Sequence, residues 1–475
     1  MYWVLTVHMA SMKNSEFCFR FEWAKLARIG QRNLILSALV WITLPNVTYA
    51  NTEIVPFVSI RGSLVDNETD TLNESGYITT VAPGISVVAM GARSSLRLDY
   101  LVNVVNSQDL DQDDEEVHEL NFLSSYQHSP GKWQSSLRAS SQLTNIDING
   151  VQNVNPDFID DNSEELRTIV FNTTVTDRVT ETIQYRADLS ADYADYADSD
   201  TDDTDGHRLE LALDNFRSPN DFTWSTRLNR QVEGLDDDDE QIDTLNVNLR
   251  YQLNRVWGSF FDVTRTETDF SEFDDDQKLV GLTWQPSSRT SVSFGAGERG
   301  DDNSYSLDAV HTVQHVSFSA NYLEEITTSR TYTLNQLQSD QLAQATTRSI
   351  SILPVLQKRA SLNFAVTGNY STFLTSIFQT DRSEENTALD ERITGIRVSF
   401  TREIGPRDDF RVSLLGQESE DEEINDLTEL TLTYTRLHSN SETINITLDL
   451  TNQDSTLDSS EYERAVFSAE YRVTF

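Results

Sequence analysis

The sequence predicts an all-β fold, a single-chain antiparallel transmembrane β-barrel of about 22 strands. Short segments in which apolar and polar residues alternate recur from residue 51 to the last residue. Alternation with a period of two places one row of side chains on each face of a strand. Acidic runs fall in every second connection, and short turns rich in Pro, Gly, Asn and Ser fall in the others. Long loops on one rim and short turns on the other are typical of bacterial outer-membrane barrels.

Composition and charge limit the classes of protein that fit. The chain has 475 residues, 77 acidic and 36 basic, with a formal net charge of −41. A mean hydropathy of −0.46 is compatible with a barrel, because only alternate strand residues face lipid. The acidic excess excludes a general nucleic-acid binder, which needs clustered Lys and Arg. The sole cysteine is Cys18, so we expect no disulfide and no thiolate metal site in the mature chain.

The first 50 residues have the features of an export signal. Basic residues at Lys25, Arg28 and Arg32 precede an apolar stretch at 34–44, and small residues follow at the usual cleavage position, ending with Ala50. The sequence predicts a signal peptide at 1–50, with a long basic region or a later start, and an outer-membrane barrel at 51–475.

The closing segment shows the strand pattern most clearly. Phe467, Tyr471, Val473 and Phe475 share one parity, and Ser468, Glu470, Arg472 and Thr474 share the other. About ten such residues, tilted, cross the hydrocarbon layer of a bilayer. The terminal aromatic resembles the assembly signal of outer-membrane barrels. Tyr471, Val473 and Phe475 are therefore the predicted signal, and the barrel assembly machinery is a predicted partner.

Similar segments can be followed along the whole chain. They lie at 54–65, 77–90, 96–104, 118–127, 133–143, 165–175, 182–193, 209–213, 222–228, 245–253, 257–263, 280–284, 292–296, 305–312, 316–322, 360–366, 373–377, 396–400, 410–414, 430–434, 444–450 and 464–475. The connections predicted to face outward are 66–75, 107–116, 145–164, 194–206, 234–241, 269–277, 300–303, 326–357, 382–391, 417–426 and 452–462. An even strand number is usual for bacterial single-chain barrels.

The longest interruption, 326–357, includes an apolar run at 350–356. Two interpretations fit this run equally well. One is a loop that folds into the lumen as a gate, because exposed apolar patches are uncommon in water. The other is an extension of the two neighbouring strands above the membrane.

The polar parity of the strands supplies the candidate lumen-lining residues. They are Arg97, Asp99, Arg138, Arg186, Asp188, Arg227, Arg250, Arg397, Arg411, Asp449, Glu470 and Arg472. Guanidinium groups in a pore could bind anions or sugar hydroxyls. The alternative is cross-strand pairing with carboxylates that braces the barrel. The second reading is favoured, because Arg and acidic residues occur on the same strands.

The acidic connections could bind Ca²⁺ or Mg²⁺, which prefer oxygen ligands. The candidate ligands are Asp236, Asp237, Asp238, Asp239, Asp274, Asp275 and Asp276. The run at 198–205 lacks the Gly and Glu of an EF-hand loop. Loose divalent screening is one hypothesis for these connections, with outer-membrane lipid and lipopolysaccharide as partners. A solvated anionic surface is slightly favoured over it.

Two segments resemble a known family, the outer-membrane barrels associated with the PEP-CTERM system. The first is Val55-Pro56-Phe57-Val58-Ser59-Ile60-Arg61 with Asp66-Asn67. The second is Leu356-Gln357-Lys358-Arg359-Ala360-Ser361-Leu362, followed by Gly368-Asn369 and a strand ending in Thr380-Asp381-Arg382. The resemblance implies a single-domain barrel of a Gram-negative outer membrane, associated with exopolysaccharide loci. The loops of this chain are more acidic than the family pattern.

Three functional classes remain open from the sequence. The first, which we favour, is a porin-like channel or export-associated barrel for exopolysaccharide or another polar solute, with export components as partners. The second is a structural or interaction barrel with cation-screened anionic loops. The third, an outer-membrane hydrolase, has less support, because no Gly-x-Ser-x-Gly, His-Glu-x-x-His or phosphate loop is present. The sequence thus predicts no enzyme and no tightly bound cofactor. A TonB-dependent transporter would match the strand count but would need a large N-terminal plug domain.

Overall fold

The computed structural model describes residues 2–7, 21–26, 49–69, 73–110, 115–145, 163–196, 204–215, 222–235, 238–269, 275–328, 354–383, 390–420, 424–456 and 461–475. The chain divides into two units, Met1–Ala50 and Asn51–Phe475. In the first unit, β1 (Tyr2–Val7) pairs antiparallel with β2 (Phe21–Leu26). The apolar stretch at 34–44 lies outside the described residues, and the signal peptide stays a prediction.

The second unit is a closed antiparallel barrel of 22 strands. The strands are β3 (Tyr49–Thr69), β4 (Asn73–Gly91), β5 (Ser94–Gln108), β6 (Glu115–Ser129), β7 (Trp133–Asn145), β8 (Ser163–Arg178), β9 (Ile183–Tyr196), β10 (Thr204–Asn215), β11 (Phe222–Leu235), β12 (Asp238–Gln252), β13 (Trp257–Thr268), β14 (Asp275–Ser287), β15 (Thr290–Arg299), β16 (Asp302–Val313), β17 (Val316–Thr328), β18 (Pro354–Thr367), β19 (Ser371–Ser383), β20 (Asp390–Gly405), β21 (Asp408–Glu420), β22 (Ile424–Leu437), β23 (Glu442–Ser455) and β24 (Tyr462–Thr474).

Each strand pairs with the next, and β24 pairs with β3 to close the ring. In this closing pair Phe467 stands opposite Leu64, and Val466 stands opposite Val65. Closure gives every strand of the barrel a neighbour on both sides, so no strand is left as a free edge. The predicted all-β antiparallel barrel is therefore confirmed. The described part of the chain contains no helix able to span a membrane.

The connections alternate between two rims because consecutive strands are antiparallel. We call the end where β3 begins and β24 ends the turn rim, and the opposite end the loop rim. At the turn rim the strands are joined by short turns, such as 130–132, where Gly131 has a φ of 71°. All strand ends that flank the predicted outward connections lie at the loop rim. The sorting of acidic segments to one end is thus as predicted.

The strands run further into the acidic segments than the sequence predicts. β12 begins at Asp238, within the predicted loop 234–241, and Glu240 stands opposite Glu233 of β11. The physical reason is that the backbone ladder continues wherever neighbouring strands stay in register, whatever the side-chain pattern.

The outward face carries a band of exposed apolar side chains. Leu211, Leu228 and Leu245 stand opposite one another on β10, β11 and β12 and are 45%, 50% and 44% exposed. Similar residues recur on other strands, among them Val280, Phe294, Phe364 and Phe467. Proteins in water rarely expose a continuous apolar surface of this extent, so the band suits a hydrocarbon environment.

The inward face is polar along most of its length and changes in exposure between the rims. Near the turn rim, Arg97 keeps 68% of its side chain exposed. Near the loop rim, Glu233 is 2% exposed and Gln357 is fully buried. One apolar cluster, formed by Val65, Ile78, Val105 and Val466, packs on this face toward the loop rim. The described interior is therefore accessible from the turn rim and packed toward the loop rim.

Candidate functional site in the barrel lumen

The inward face of β10 to β17 carries a half-open cavity of about 580 Å³, which we call the lumen cavity. Its wall includes Arg227, Asn246, Arg250 and Asp262. A second opening of about 320 Å³, which also involves Asp214 and Trp224, shares these four residues. The two spaces thus form one polar region of the wall.

Strand register explains why these side chains share a face. Arg227 of β11 stands opposite Asn246 of β12, which stands opposite Thr264 of β13. Two residues away, Asn248 stands opposite Asp262. Alternate residues of each strand point inward, so the inward-facing residues of β11, β12 and β13 together form one polar wall.

Asp262 is the centre of a hydrogen-bond network on this wall. Asn246 Nδ2 donates to Asp262 Oδ1 at 2.9 Å, and Asn248 Nδ2 donates to Asp262 Oδ2 at 2.8 Å. Arg250 Nε donates to Asn248 Oδ1 at 2.8 Å. Asn246 Nδ2 also lies 2.8 Å from Thr264 Oγ1. The network fixes the side chains across β12 and β13.

Two other lumenal arginines are held by carboxylates. Arg186 Nε lies 2.6 Å from Asp188 Oδ2, and Arg186 Nη2 lies 2.9 Å from Glu210 Oε1 on the neighbouring strand. Arg208 Nη2 lies 3.1 Å from Glu210 Oε2, and its Nε donates to Asn229 Oδ1 at 2.7 Å. Side chains tied in this way brace neighbouring strands.

Arg227 differs from these arginines. It is exposed toward the lumen cavity, and within the described part of the chain no hydrogen bond or ion pair engages its guanidinium group. Its donors are therefore free for a solute, whereas those of Arg186 are occupied. The geometry of bracing is thus present at Arg186 and Arg208 and, among the described residues, absent at Arg227, and solute contact stays a prediction.

The register places every predicted lumen-lining residue on the inward face, but spreads them around the whole ring. Only Arg227 and Arg250 line the lumen cavity. Among the rest, Arg97 pairs with Asp99 at 2.7 Å, Glu470 lies 3.8 Å from Arg61, and the Arg472 guanidinium lies 3.6 Å from the centre of the Phe57 ring. Arg138, Arg397, Arg411 and Asp449 complete the set on β7, β20, β21 and β23.

A buried polar cluster lies near the loop rim, and the sequence pattern does not predict it. Arg299 of β15 lies 2.8 Å from Asp275 and 3.8 Å from Glu324 of β17. Ser304, which is fully buried, donates to Glu324 at 2.6 Å. Burial, with the nearby charges of Asp276 and Glu324, raises the pKa of Asp275 despite its contact with Arg299. No short motif marks these contacts, because they join residues far apart in the chain.

One contact of β17 crosses to a strand that is not its neighbour. Thr328 Oγ1 donates to Glu233 Oε2 of β11 at 2.6 Å, and the two side chains are 0% and 2% exposed. Thr328 also stands opposite Pro354 of β18. The described ends of the predicted 326–357 interruption belong to β17 and β18, and both alternatives for the interruption stay predictions. Residues 329–353, where the gate was predicted, lie outside the described residues.

The described acidic residues do not form a metal site. Among them, no group of three or more His, Cys, Asp or Glu side chains could hold a metal ion. Asp275 contacts Arg299, Asp276 lies 4.0 Å from Arg265, and Asp239 is exposed. Asp236, Asp237 and Asp274, together with the side chain of Asp238, lie outside the described residues, so loose divalent binding stays a prediction.

The predicted assembly signal lies on the outward face of β24. Tyr471 and Phe475 are 41% and 75% exposed, and Val473 shares their parity. The backbone amide of Phe475 donates to the Pro56 carbonyl at 2.9 Å. The three side chains are thus accessible from outside the barrel at the turn rim.

Comparison with known proteins places the fold among solved barrels. No family model and no curated protein matches this chain. The siderophore receptor PirA from Acinetobacter baumannii has a TM-score of 0.52 and 9% identity, over 91% of this chain and 81% of that chain. PirA from Pseudomonas aeruginosa gives 0.44 and 9% over 88% and 80%, and OpdO from the same species gives 0.37 and 9% over 89% and 98%. The similarity to the Acinetobacter protein is one of fold, a closed antiparallel β-barrel that spans nearly the whole of this chain.

Proposed function

We propose that this protein is an outer-membrane channel that admits a polar solute to its lumen. The observation that carries the proposal is the lumen cavity of about 580 Å³ inside a closed barrel. The wall of that cavity is polar, and the outer surface of the same strands is apolar. This is the arrangement of barrels that enclose an aqueous path across a bilayer.

The exposed side chains of the inward face near the turn rim support entry of the solute from that rim. Side chains such as Arg186, with 44% of its surface exposed, leave room for water near that end. Toward the loop rim, buried contacts such as Thr328 with Glu233 narrow the path. We therefore expect a small conductance, limited at the loop rim.

The proposal specifies only the chemical class of the solute. A polar, hydrogen-bonding compound suits the wall, and the resemblance to exopolysaccharide-associated barrels makes a saccharide for export one candidate. The proposed location is the outer membrane of a Gram-negative bacterium, with lipopolysaccharide around the apolar band. The barrel assembly machinery and export components are the proposed partners.

A structural or interaction barrel is the second candidate. Carboxylates form ion pairs with Arg186 and Arg208, as is required if these side chains brace neighbouring strands. A scaffold of this kind needs no conducting path.

Planar-bilayer recording separates the two candidates. Purified barrel inserted in a bilayer should give discrete single-channel steps, and Arg97→Ala, near the open turn rim, should leave the step size nearly unchanged. Replacing residues 326–356, whose described ends belong to β17 and β18 at the loop rim, with a short Gly-Ser turn should increase the step size. A protein that inserts but never conducts, with or without that segment, contradicts the channel proposal and favours the scaffold.

A further inference from the structure

Phe260 of β13 has an unusual position on the wall of the lumen cavity. It points inward, opposite Gly281 of β14, and Gly281 in turn stands opposite Gly295 of β15. A Cβ atom at Gly281 would overlap the end of the Phe260 ring, and one at Gly295 would lie 3.0 Å from Phe260 Cζ. The ring therefore lies along the wall in space left by two glycines, and its free side faces the cavity.

Polar groups surround this ring on its own face of the sheet. Arg250 stands directly opposite Phe260 across the strand pair, and Asp262 follows two residues later. Asn248, opposite Asp262, is held between Asp262 and Arg250 by hydrogen bonds of 2.8 Å each. In the described part of the chain, the terminal nitrogens of Arg250 have no other partner. Donors and acceptors are thus fixed beside a half-buried aromatic surface.

The charge of the wall limits the ligand. The cavity lining contains four arginines, Arg208, Arg227, Arg250 and Arg299, and four carboxylates, Glu210, Asp262, Glu324 and Glu325. Equal numbers of each sign give no strong field for a small ion of either charge. A neutral or weakly charged ligand that uses many hydrogen bonds fits better. The volume of the cavity lies within the range of sites for small organic ligands.

We propose that Phe260, Arg250, Asn248 and Asp262 form a saccharide subsite in the lumen. The C–H face of a pyranose ring stacks on Phe260, while its hydroxyl groups donate to Asp262 and accept from Arg250. Asn248 holds these two side chains at a fixed separation. Arg227, two strands away on β11, offers free donors to a following sugar unit. The subsite deepens the proposed function, because it rests on a solute that enters the lumen.

Calorimetric titration of the folded barrel in detergent micelles tests this subsite without requiring conduction. The probes are maltohexaose, which is neutral, and a hexamer of galacturonic acid, which carries carboxylates. Phe260→Leu should weaken binding of the preferred sugar about tenfold, as expected when an aromatic stacking surface is lost. Asp262→Asn should also weaken it, and Phe260→Tyr, which keeps the ring, should bind within about twofold of the wild type.

Phe378→Leu is the matched control. Phe378 also lies on the inward face with its ring end 2.5 Å from the Cβ position of Gly395, but its neighbours on that face of β19 are Ser376 and Thr380, and it does not line the lumen cavity. Binding should be unchanged in this variant. Equal binding by Phe260→Leu and wild type, or no binding of either sugar, overturns the subsite. Single-channel steps in the same preparation would show that the channel proposal survives that outcome.

Discussion

Arg227 gives the sharpest test of which arginines act on solutes. Its guanidinium group is exposed to the lumen cavity and engaged by no partner in the described residues. Arg227→Gln removes one positive charge and keeps a polar side chain of similar length. We expect the ratio of anion to cation permeability to fall, because a cation is repelled less and an anion attracted less.

Coulomb's law gives the size of the change. An ion that passes about 10 Å from a unit charge in water gains or loses about 0.4 kcal/mol. Since the sign is opposite for cation and anion, the permeability ratio depends on about 0.8 kcal/mol, which is about a fourfold change. Low salt is needed, because the screening length is about 30 Å at 0.01 M and only about 10 Å at 0.1 M.

The assay is the reversal potential across a planar bilayer under a gradient of dilute KCl. Arg230→Gln is the matched control, because Arg230 is on the same strand but points outward, where it pairs with Asp243 at 2.7 Å. The control should keep the wild-type reversal potential. An unchanged potential in Arg227→Gln, or an equal shift in both variants, would refute the assignment of Arg227 to the conducting path.

Three further predictions concern the stability of the barrel. Thr328→Val should destabilise it by about 1.5 to 3 kcal/mol in denaturant titration, because Glu233 would lose a 2.6 Å hydrogen bond while buried. Leu228→Arg, on the apolar band, should cost about 2 to 4 kcal/mol when the barrel unfolds from phospholipid vesicles. Hydrogen bonds from Lys132 and the amide of Arg178 lower the pKa of Asp177. Their contribution should be present above a pH of about 4 and lost as the pH falls through the lowered pKa, and Lys132→Met should reduce this acid sensitivity.

Each of these predictions has a control in the chain. Thr327→Val removes a hydroxyl that contacts only a backbone carbonyl at 3.5 Å, and it should cost less than Thr328→Val. Leu374→Arg makes the same change on the inward face, where Leu374 of β19 is 40% exposed, and it should be nearly neutral. If Lys132→Met and wild type unfold with the same pH profile, the contact with Asp177 does not contribute.

The strands in the apolar band could be predicted from sequence because lipid imposes a strict alternation there. On β24, Phe467 and Tyr471 mark the outward parity and Ser468 and Glu470 the inward one, and the structure agrees. Above the band both faces meet polar surroundings, so the alternation is lost. That is why the start of β12 at Asp238 was assigned to a loop.

The lumen site could be predicted only in part. Parity alone places Arg227 and Arg250 on the inward face, but it does not show that Arg186 is paired and Arg227 is not. Those differences depend on register between strands, which sets which residue stands opposite which. The role of Phe260 was missed because an aromatic residue on the polar parity gains meaning only from the glycines on the next two strands.

Solvent accessibility along β11 tests the two-faced barrel most directly. After Cys18→Ser, single cysteines at positions 224 to 230 can be spin-labelled in the barrel folded into phospholipid vesicles. Labels at even positions, which include Leu228, should collide mainly with oxygen dissolved in the bilayer. Labels at odd positions, which include Arg227, should collide mainly with a water-soluble nickel chelate. The collision rates with oxygen and with the nickel chelate should both alternate with a period of two residues, each high where the other is low. Equal rates at neighbouring positions, or oxygen collisions that are highest at the odd positions, would contradict the account.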